Sequence, residues 1–294
     1  MVLIRFVSLL LIIFGAYFGS WLWSGQAIAG VLADRVAQFP HWQEKPMLEA
    51  AKADLLYPGW MAGTWQVTST LEDLIAPLAP QVETPGFAKN QKYLHRPVSF
   101  QVKFRAKSRV WGLPMGNLTS AQVVADRAFN GLQISRAYLG DRALSVKVKS
   151  RNPNDQVTQI RTPEGRQQQL VSLIIQRGSE TPQPDRFIAS EVAQQIFRGK
   201  IPPYINQVET TTVYEHQGKQ IIGDQITAVY LAPQDRNYWQ ALDRPVALYR
   251  YKLRLKPVNS EQLSSLQTIS NKSGHYFHGV YFGFYFFCGR FEPD

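Results

Sequence analysis

The clearest signal along the chain is alternation. From Pro97 to Lys107, Val98, Phe100, Val102, Phe104 and Ala106 take one side, while Ser99, Gln101, Lys103, Arg105 and Lys107 take the other. Successive side chains of an extended strand point to opposite faces, so this is the pattern of a half-buried strand. Pro245 to Lys256 repeats it. Ala247, Tyr249, Tyr251, Leu253 and Leu255 share one face there, and Val246, Leu248, Arg250, Lys252, Arg254 and Lys256 share the other. A third strand starts at Thr64, with Trp65, Val67 and Ser69 on one side. Five more are predicted at Leu144–Lys149, Val157–Thr162, Gln169–Arg177, Val208–Tyr214 and Ile221–Leu231. Between them the turn signals are Asn152-Pro153-Asn154-Asp155, Pro163-Glu164-Gly165, a Pro-rich loop after Arg177 and Gln217-Gly218-Lys219. Residues 74–96 and 108–118 read as long loops rich in Pro and Gly.

Helical patterns are fewer. Residues 30–56 form a lead-in in which Val31, Leu32, Val36 and Phe39 recur near helical spacing until Pro40, followed by a second helical piece from Pro46 to Leu55. Residues 121–139 read as a helix or a helix-strand hybrid ended by Gly140. Ser190 to Phe197 reads as a short helix with Ser190 as its cap, and Pro233 to Leu242 as another with proline near its first turn. Short strands at regular spacing with Gly/Pro turns predict a mainly β fold, an antiparallel barrel or sandwich with a few inserted helices. The expected organisation is a leader over 1–29, the helical lead-in over 30–56, one barrel domain over 57–256 and a tail over 257–294. From Gly274 to Cys288 the tail is almost entirely aromatic or glycine. A last strand, a membrane-inserting segment and a non-native end from a reading-frame change all fit it.

Composition narrows the class. The 294 residues are 45% hydrophobic and 18% charged, which excludes wholesale disorder. A single cysteine, Cys288, excludes an intrachain disulfide and a thiolate zinc cage. The net charge is +10. The cations are scattered at strand spacing, as in Lys103, Arg105, Lys107 and Arg109, which points to a solvated sheet face. A nucleic-acid partner is disfavoured by the N-terminus. Arg5 precedes an apolar stretch from Phe6 to Trp23, and Ala27-Ile28-Ala29 has the small-x-small pattern of a signal-peptidase site. The expectation is export with cleavage after Ala29; an uncleaved anchor is the alternative. No cysteine follows the apolar run and no Arg-Arg pair precedes it, so neither a lipoprotein anchor nor twin-arginine export is expected.

Candidate chemistry is sparse. Trp60-Met61-Ala62-Gly63-Thr64-Trp65 resembles the Gly-x-Trp opening strand of lipocalin-like barrels. That resemblance implies a closed calycin-like barrel, with Trp65 at its base and a cation from a late strand, Arg250 or Arg254, packed over it. Both arginines alternate with Tyr249 and Tyr251, so only a rim contact is open to them if the tyrosines face inward. The chain over roughly 57–256 is also similar to an uncharacterised family of exported cyanobacterial and chloroplast proteins. That likeness rests on Tyr57-Pro58-Gly59-Trp60, Gly63-Thr64-Trp65, Asp126-Arg127-Ala128-Phe129-Asn130, Ala137-Tyr138-Leu139-Gly140 and Arg244 to Tyr251. It implies a periplasmic or thylakoid-lumen home and brings no activity.

Asp126, Arg127 and Asn130 are the most polar cluster. On a helix Asp126 and Asn130 share a face. As a site, Asp126 accepts hydrogen bonds and Arg127 takes an anionic group; as structure, the cluster is an ion pair with a helix cap. His275-x-x-His278 and His95 are weak candidates for metal or haem, and no metal site is predicted. A Gly-x-Ser-x-Gly elbow, a phosphate-cradling loop and His-Glu-x-x-His are all missing. The expected function is therefore non-enzymatic: an exported barrel binding a pigment, quinone or lipid, with Phe100, Phe104, Tyr249 and Tyr251 as candidate liners. The alternative is a ligand-free assembly factor that meets a photosynthetic membrane complex or membrane surface through its basic face and aromatic tail. An enzyme of unknown class is the third reading.

Overall fold

A computed structural model describes residues 30–82, 84, 86–107, 123–199 and 202–258. The expected leader over 1–29, the loop expected at 108–118 and the aromatic-rich tail with His275, His278 and Cys288 lie outside the described residues. Among the described residues no helix is long and apolar enough to cross a membrane.

The described residues form eleven strands: β1 (Glu49–Ala50), β2 (Gly63–Ile75), β3 (Pro97–Ala106), β4 (Val123–Ala125), β5 (Ala143–Lys149), β6 (Asn152–Arg161), β7 (Gln167–Gln183), β8 (Arg186–Arg198), β9 (Tyr204–Gln217), β10 (Gln220–Leu231) and β11 (Ala247–Pro257). Ten of them form one antiparallel path in the order β4-β3-β2-β11-β10-β9-β8-β7-β6-β5, and β1 adds to β7. The sheet curls into a half-barrel. Its path ends at β4 and β5, and no ladder joins those two among the described residues. The closed ladder that a lipocalin-like fold implies is thus replaced by a helix. Helix α3 (Arg127–Leu139) follows β4 after one residue and packs on β3, β5 and β6, filling the gap. Helices α1 (Val31–Ala37), α2 (Phe87–Asn90) and α4 (Tyr238–Ala241) are short.

Local chemistry explains how α3 sits. The Asp126 carboxylate accepts the Phe129 N–H at 3.2 Å and caps the helix, and Gly140 closes it at φ 57°. The Asn130 amide imitates a strand: its Oδ1 accepts from the Lys103 N–H at 2.7 Å and its Nδ2 donates to the Lys103 carbonyl at 3.2 Å. Gly131 lets the helix approach closely, because a Cβ there would lie 3.0 Å from Val146 Cγ1 and from Gln156 Nε2.

The lead-in covers the outer face of the central strands. Helix α1 lies on β7, β8 and β9. Trp42 and Phe39 pack with Ile226, Ala228, Tyr230 and Leu248. Arg35 forms a fork with the fully buried Glu209, through Nε to Oε1 and Nη2 to Oε2, both at 2.6 Å. Tyr230 and Thr211 donate to the same carboxylate at 2.7 and 2.8 Å, and the Trp42 ring lies 3.9 Å from the guanidinium. Burial opposes the Arg35 charge, but the hydrogen bond and attraction to Glu209 outweigh it and raise its pKa.

Several sequence expectations are corrected. Pro46 to Leu55 is not helical: its centre is β1, paired with Arg177 and Gln176. Ser190 to Phe197 lies inside β8, because the sheet core buries one face and the lead-in covers the other, which erases the period of two. Asn152 to Asp155 is not the turn; it starts β6 across a register shift at Val148/Lys149, and the turn is Ser150-Arg151. The loop expected after Arg177 is strand as far as Gln183, held by β8. Of the helix expected over 233–242, only α4 is a helix.

Candidate functional site

The interior of the half-barrel has two walls. β2, β3 and β11 supply Val67, Phe100, Val102, Phe104, Leu253 and Leu255. β6 to β10 supply Gln156, Glu191, Thr210, Thr212 and Gln225 among smaller apolar residues such as Ala189 and Ala193. Between them is a cavity of about 140 Å³. Arg127, Asn130, Gly131 and Ile134 of α3 line it from the gap side. A strap running from Ala51 to Ala62 supplies Leu55 and Tyr57. The strap is held at its start and its middle: the Ala51 N–H donates to the Ile175 carbonyl at 3.0 Å, and the Tyr57 N–H to the Val123 carbonyl at 2.8 Å. Tyr57 also meets Phe104 edge-on at 4.8 Å between ring centres.

The expected liners divide. Phe100 and Phe104 line the cavity. Tyr249 and Tyr251 point to the same interior but belong to its packed end. Tyr249 accepts a hydrogen bond from Asn90 at 3.2 Å and lies 5.9 Å from the Phe87 ring, both on the segment that covers that end. Tyr251 is fully desolvated, and burial pushes its phenol pKa well up. The expected stack on Trp65 is not formed. Trp65 is buried, with its indole N–H donating to the Met61 carbonyl at 2.9 Å. Arg250 lies on the outer face, forked to Asp224 at 2.9 and 2.6 Å and 5.2 Å from the Phe39 ring. The Asp224 hydrogen bond raises its pKa. Arg254 is exposed on the same outer face, opposite Thr68 in the ladder. The alternation that put both arginines opposite the tyrosines decides this.

The polar cluster is also divided. Asp126 is the helix cap and Asn130 binds the β3 edge, while Arg127 reaches into the interior. Arg127 Nη2 donates to Glu191 Oε1 at 2.6 Å, and Arg177 Nη2 donates to the same oxygen at 2.7 Å. Arg177 Nη2 also reaches Asn154 Oδ1 at 2.7 Å, and the Asn154 amide donates to the Ala51 carbonyl of the strap at 3.2 Å. Sequence reading missed Glu191, Arg177 and Asn154. The available signal was a lone acid within the uncharged run Phe187 to Phe197. His95 is exposed and 3.9 Å from Glu72, away from the cavity. Among the described residues no group of three or more His, Cys, Asp or Glu could hold a metal ion.

Comparison with known families gives one match. A family described as a domain of unknown function, DUF6816, matches residues 49–259, which spans β1 to β11. No curated protein and no solved structure matches the chain.

Proposed function

The chain belongs to the DUF6816 family, whose function is unknown, and we propose that it is a non-enzymatic, exported half-barrel protein that holds one small amphipathic ligand. The observation that carries this reading is the interior cavity set between an apolar wall and a mixed one that adds a few polar groups. Apolar pockets with a few placed polar groups are the usual form of small-molecule sites. Size decides among the ligand classes. Sites for drug-sized molecules occupy about 300–1,000 Å³, and an engineered cavity of about 150 Å³ takes a molecule the size of benzene. At about 140 Å³, this cavity suits one ring or a short chain. A quinone head or a short lipid-like molecule fits that volume, and an entire pigment does not. The signal-like sequence over 1–29 supports export, to the periplasm or to a thylakoid lumen.

The test is organic extraction of the protein purified from its native host, followed by mass spectrometry. The expected result is a single compound near one equivalent, with an apolar part no larger than a ring or short chain. Protein that yields no compound, and takes up none when incubated with a host lipid extract, refutes the reading.

A second reading has its own observation. Lys103 and Arg105 of β3, Lys107 just after it, and Lys252, Arg254 and Lys256 of β11 are all exposed, and the two strands flank Gln66, Thr68 and Thr70 of β2. Such a strip suits an acidic membrane complex or an anionic membrane surface. Reversing Lys103, Arg105 and Lys107 to glutamate would abolish salt-sensitive association with host membranes. Unchanged association refutes that docking.

A further inference from the structure

Resting on the ligand-binding reading above, we propose that the ligand is uncharged and ends in an amide, and that the Gln156 carboxamide receives this amide through two hydrogen bonds. Arg127 and Glu191 are the charged side chains of the cavity wall, and they pair with each other at 2.6 Å. Arg177 reaches the same Glu191 oxygen from a separate groove, in which Glu49, Asp54 and Glu180 lie with it. The cavity wall itself therefore carries no net charge. An ion entering it would lose water and find no free countercharge, which is costly.

The neutral polar groups of the wall differ in what they already hold. Asn130 binds the Lys103 backbone, Thr212 donates to Gln225 at 3.2 Å, and Gln225 donates to Thr227 at 3.4 Å. Gln156 of β6 is only 7% exposed, and its carboxamide makes no hydrogen bond among the described residues. Ser172 of β7 stands opposite Gln156 in the ladder, and Gln195 of β8 stands opposite Ser172. These two share the inner face with Ile174 and Ala193, which line the cavity, without lining it themselves. Ser172 Oγ and both amide atoms of Gln195 are buried and have no hydrogen-bond partner among the described residues. Buried polar groups in native proteins are nearly always hydrogen-bonded. Uncharged donors and acceptors with open capacity thus gather around the one carboxamide that faces the cavity.

A carboxamide presents an acceptor and a donor side by side. The group that meets both at once carries its own donor and acceptor side by side, and an amide does this without charge. The ligand's apolar part would then lie along Phe100, Phe104 and Leu255. At about 140 Å³ that part is a single ring or a short chain.

The test is calorimetric titration of full-length protein that native mass spectrometry shows to be free of adducts. The probes are four one-ring molecules: benzamide, benzoate, benzamidine and toluene. Benzamide is neutral, benzoate is the anion of the same shape and benzamidine the cation. The wild type should bind benzamide about tenfold or more tightly than each of the other three. In Gln156→Met, which keeps the bulk and removes the hydrogen bonds, benzamide should bind about tenfold more weakly and toluene within about twofold of the wild type. Circular dichroism checks that the variant is folded; if it is not, the wild-type order of probes still decides.

Equal binding of benzamide and toluene by the wild type overturns the amide inference and leaves the cavity reading standing. Preference for benzoate or benzamidine overturns it in favour of a charged ligand. Unchanged benzamide affinity in folded Gln156→Met overturns the role of Gln156. Binding of no probe to folded wild-type protein overturns the inference together with the reading beneath it.

Discussion

Removing the Glu209 carboxylate should release the N-terminal lead-in from the sheet. The carboxylate is fully buried and takes four hydrogen bonds, two from Arg35 and one each from Tyr230 and Thr211. In Glu209→Ala the Arg35 guanidinium, itself only 10% exposed, keeps Tyr230 and the Glu44 carbonyl as partners but loses its countercharge. Breaking a buried ion pair from one side costs about 3–5 kcal/mol. Against a typical total of about 5–15 kcal/mol, that is a large share. Replacing both partners, as in Arg35→Met with Glu209→Leu, removes the stranded charge and should recover most of the loss. Urea unfolding followed by tryptophan fluorescence measures the cost. Limited proteolysis reports the lead-in itself, and cleavage between residues 37 and 48 should accelerate in Glu209→Ala and not in the double variant. A cost below about 1 kcal/mol with unchanged cleavage would refute the idea that this pair clamps the lead-in.

Two further predictions concern the interior. Burial raises the phenol pKa of Tyr138, against a weaker opposing hydrogen bond from Ser69; burial also raises that of Tyr230, with Glu209 adding to it and Arg35 opposing it, and that of Tyr251, with Tyr138 and Tyr249 adding to it. Their folded pKa values lie above the unfolded value of about 10, so the stability they confer is complete below pH 10 and is lost as pH rises beyond it. Each such group steepens the loss by about 1.4 kcal/mol per pH unit, and Tyr138→Phe should remove one share of the slope between pH 10 and 12. An unchanged slope in urea melts refutes this. In the second, Gly131→Ala should destabilise by about 1–2 kcal/mol, because overpacking against Val146 and Gln156 exceeds the gain of about 1 kcal/mol usual for alanine in a helix. A higher unfolding midpoint would mean that α3 does not seat that closely.

How much was legible in the sequence depended on which faces are covered. β3 and β11 keep one exposed outer face along most of their length, and their alternation located both strands and separated Phe100 and Phe104 from Lys103 and Arg105. β8 and β10 are buried on both faces where the lead-in crosses them. Ala228 and Tyr230 meet Trp42 outside while Val229 and Leu231 meet the core inside, so no period survives in that run. β1 is two residues long, held by a long-range ladder and too short to carry a pattern. The gap that α3 fills could not be read, because a strand and a helix hybrid at 121–139 says nothing of which edges they meet. At the site, Arg127 was visible as part of a polar cluster. Its partner Glu191 lies 64 positions further on, in a segment that read as a helix, and only pairing across the curled sheet brings them together. Glu209 shares the one hint available, a solitary carboxylate between apolar and threonine neighbours.

The central claim is that the interior cavity is a ligand site, and filling it is the most direct test. Ala193 lines the cavity from β8, and its replacement by phenylalanine places a ring in the space a ligand would occupy. Native mass spectrometry of the wild type and of Ala193→Phe, both purified from the native host and matched for folding by circular dichroism, gives the answer. The account predicts a one-to-one adduct on the wild type and bare protein for the variant. Bare protein in both, or the same adduct on both, would contradict it.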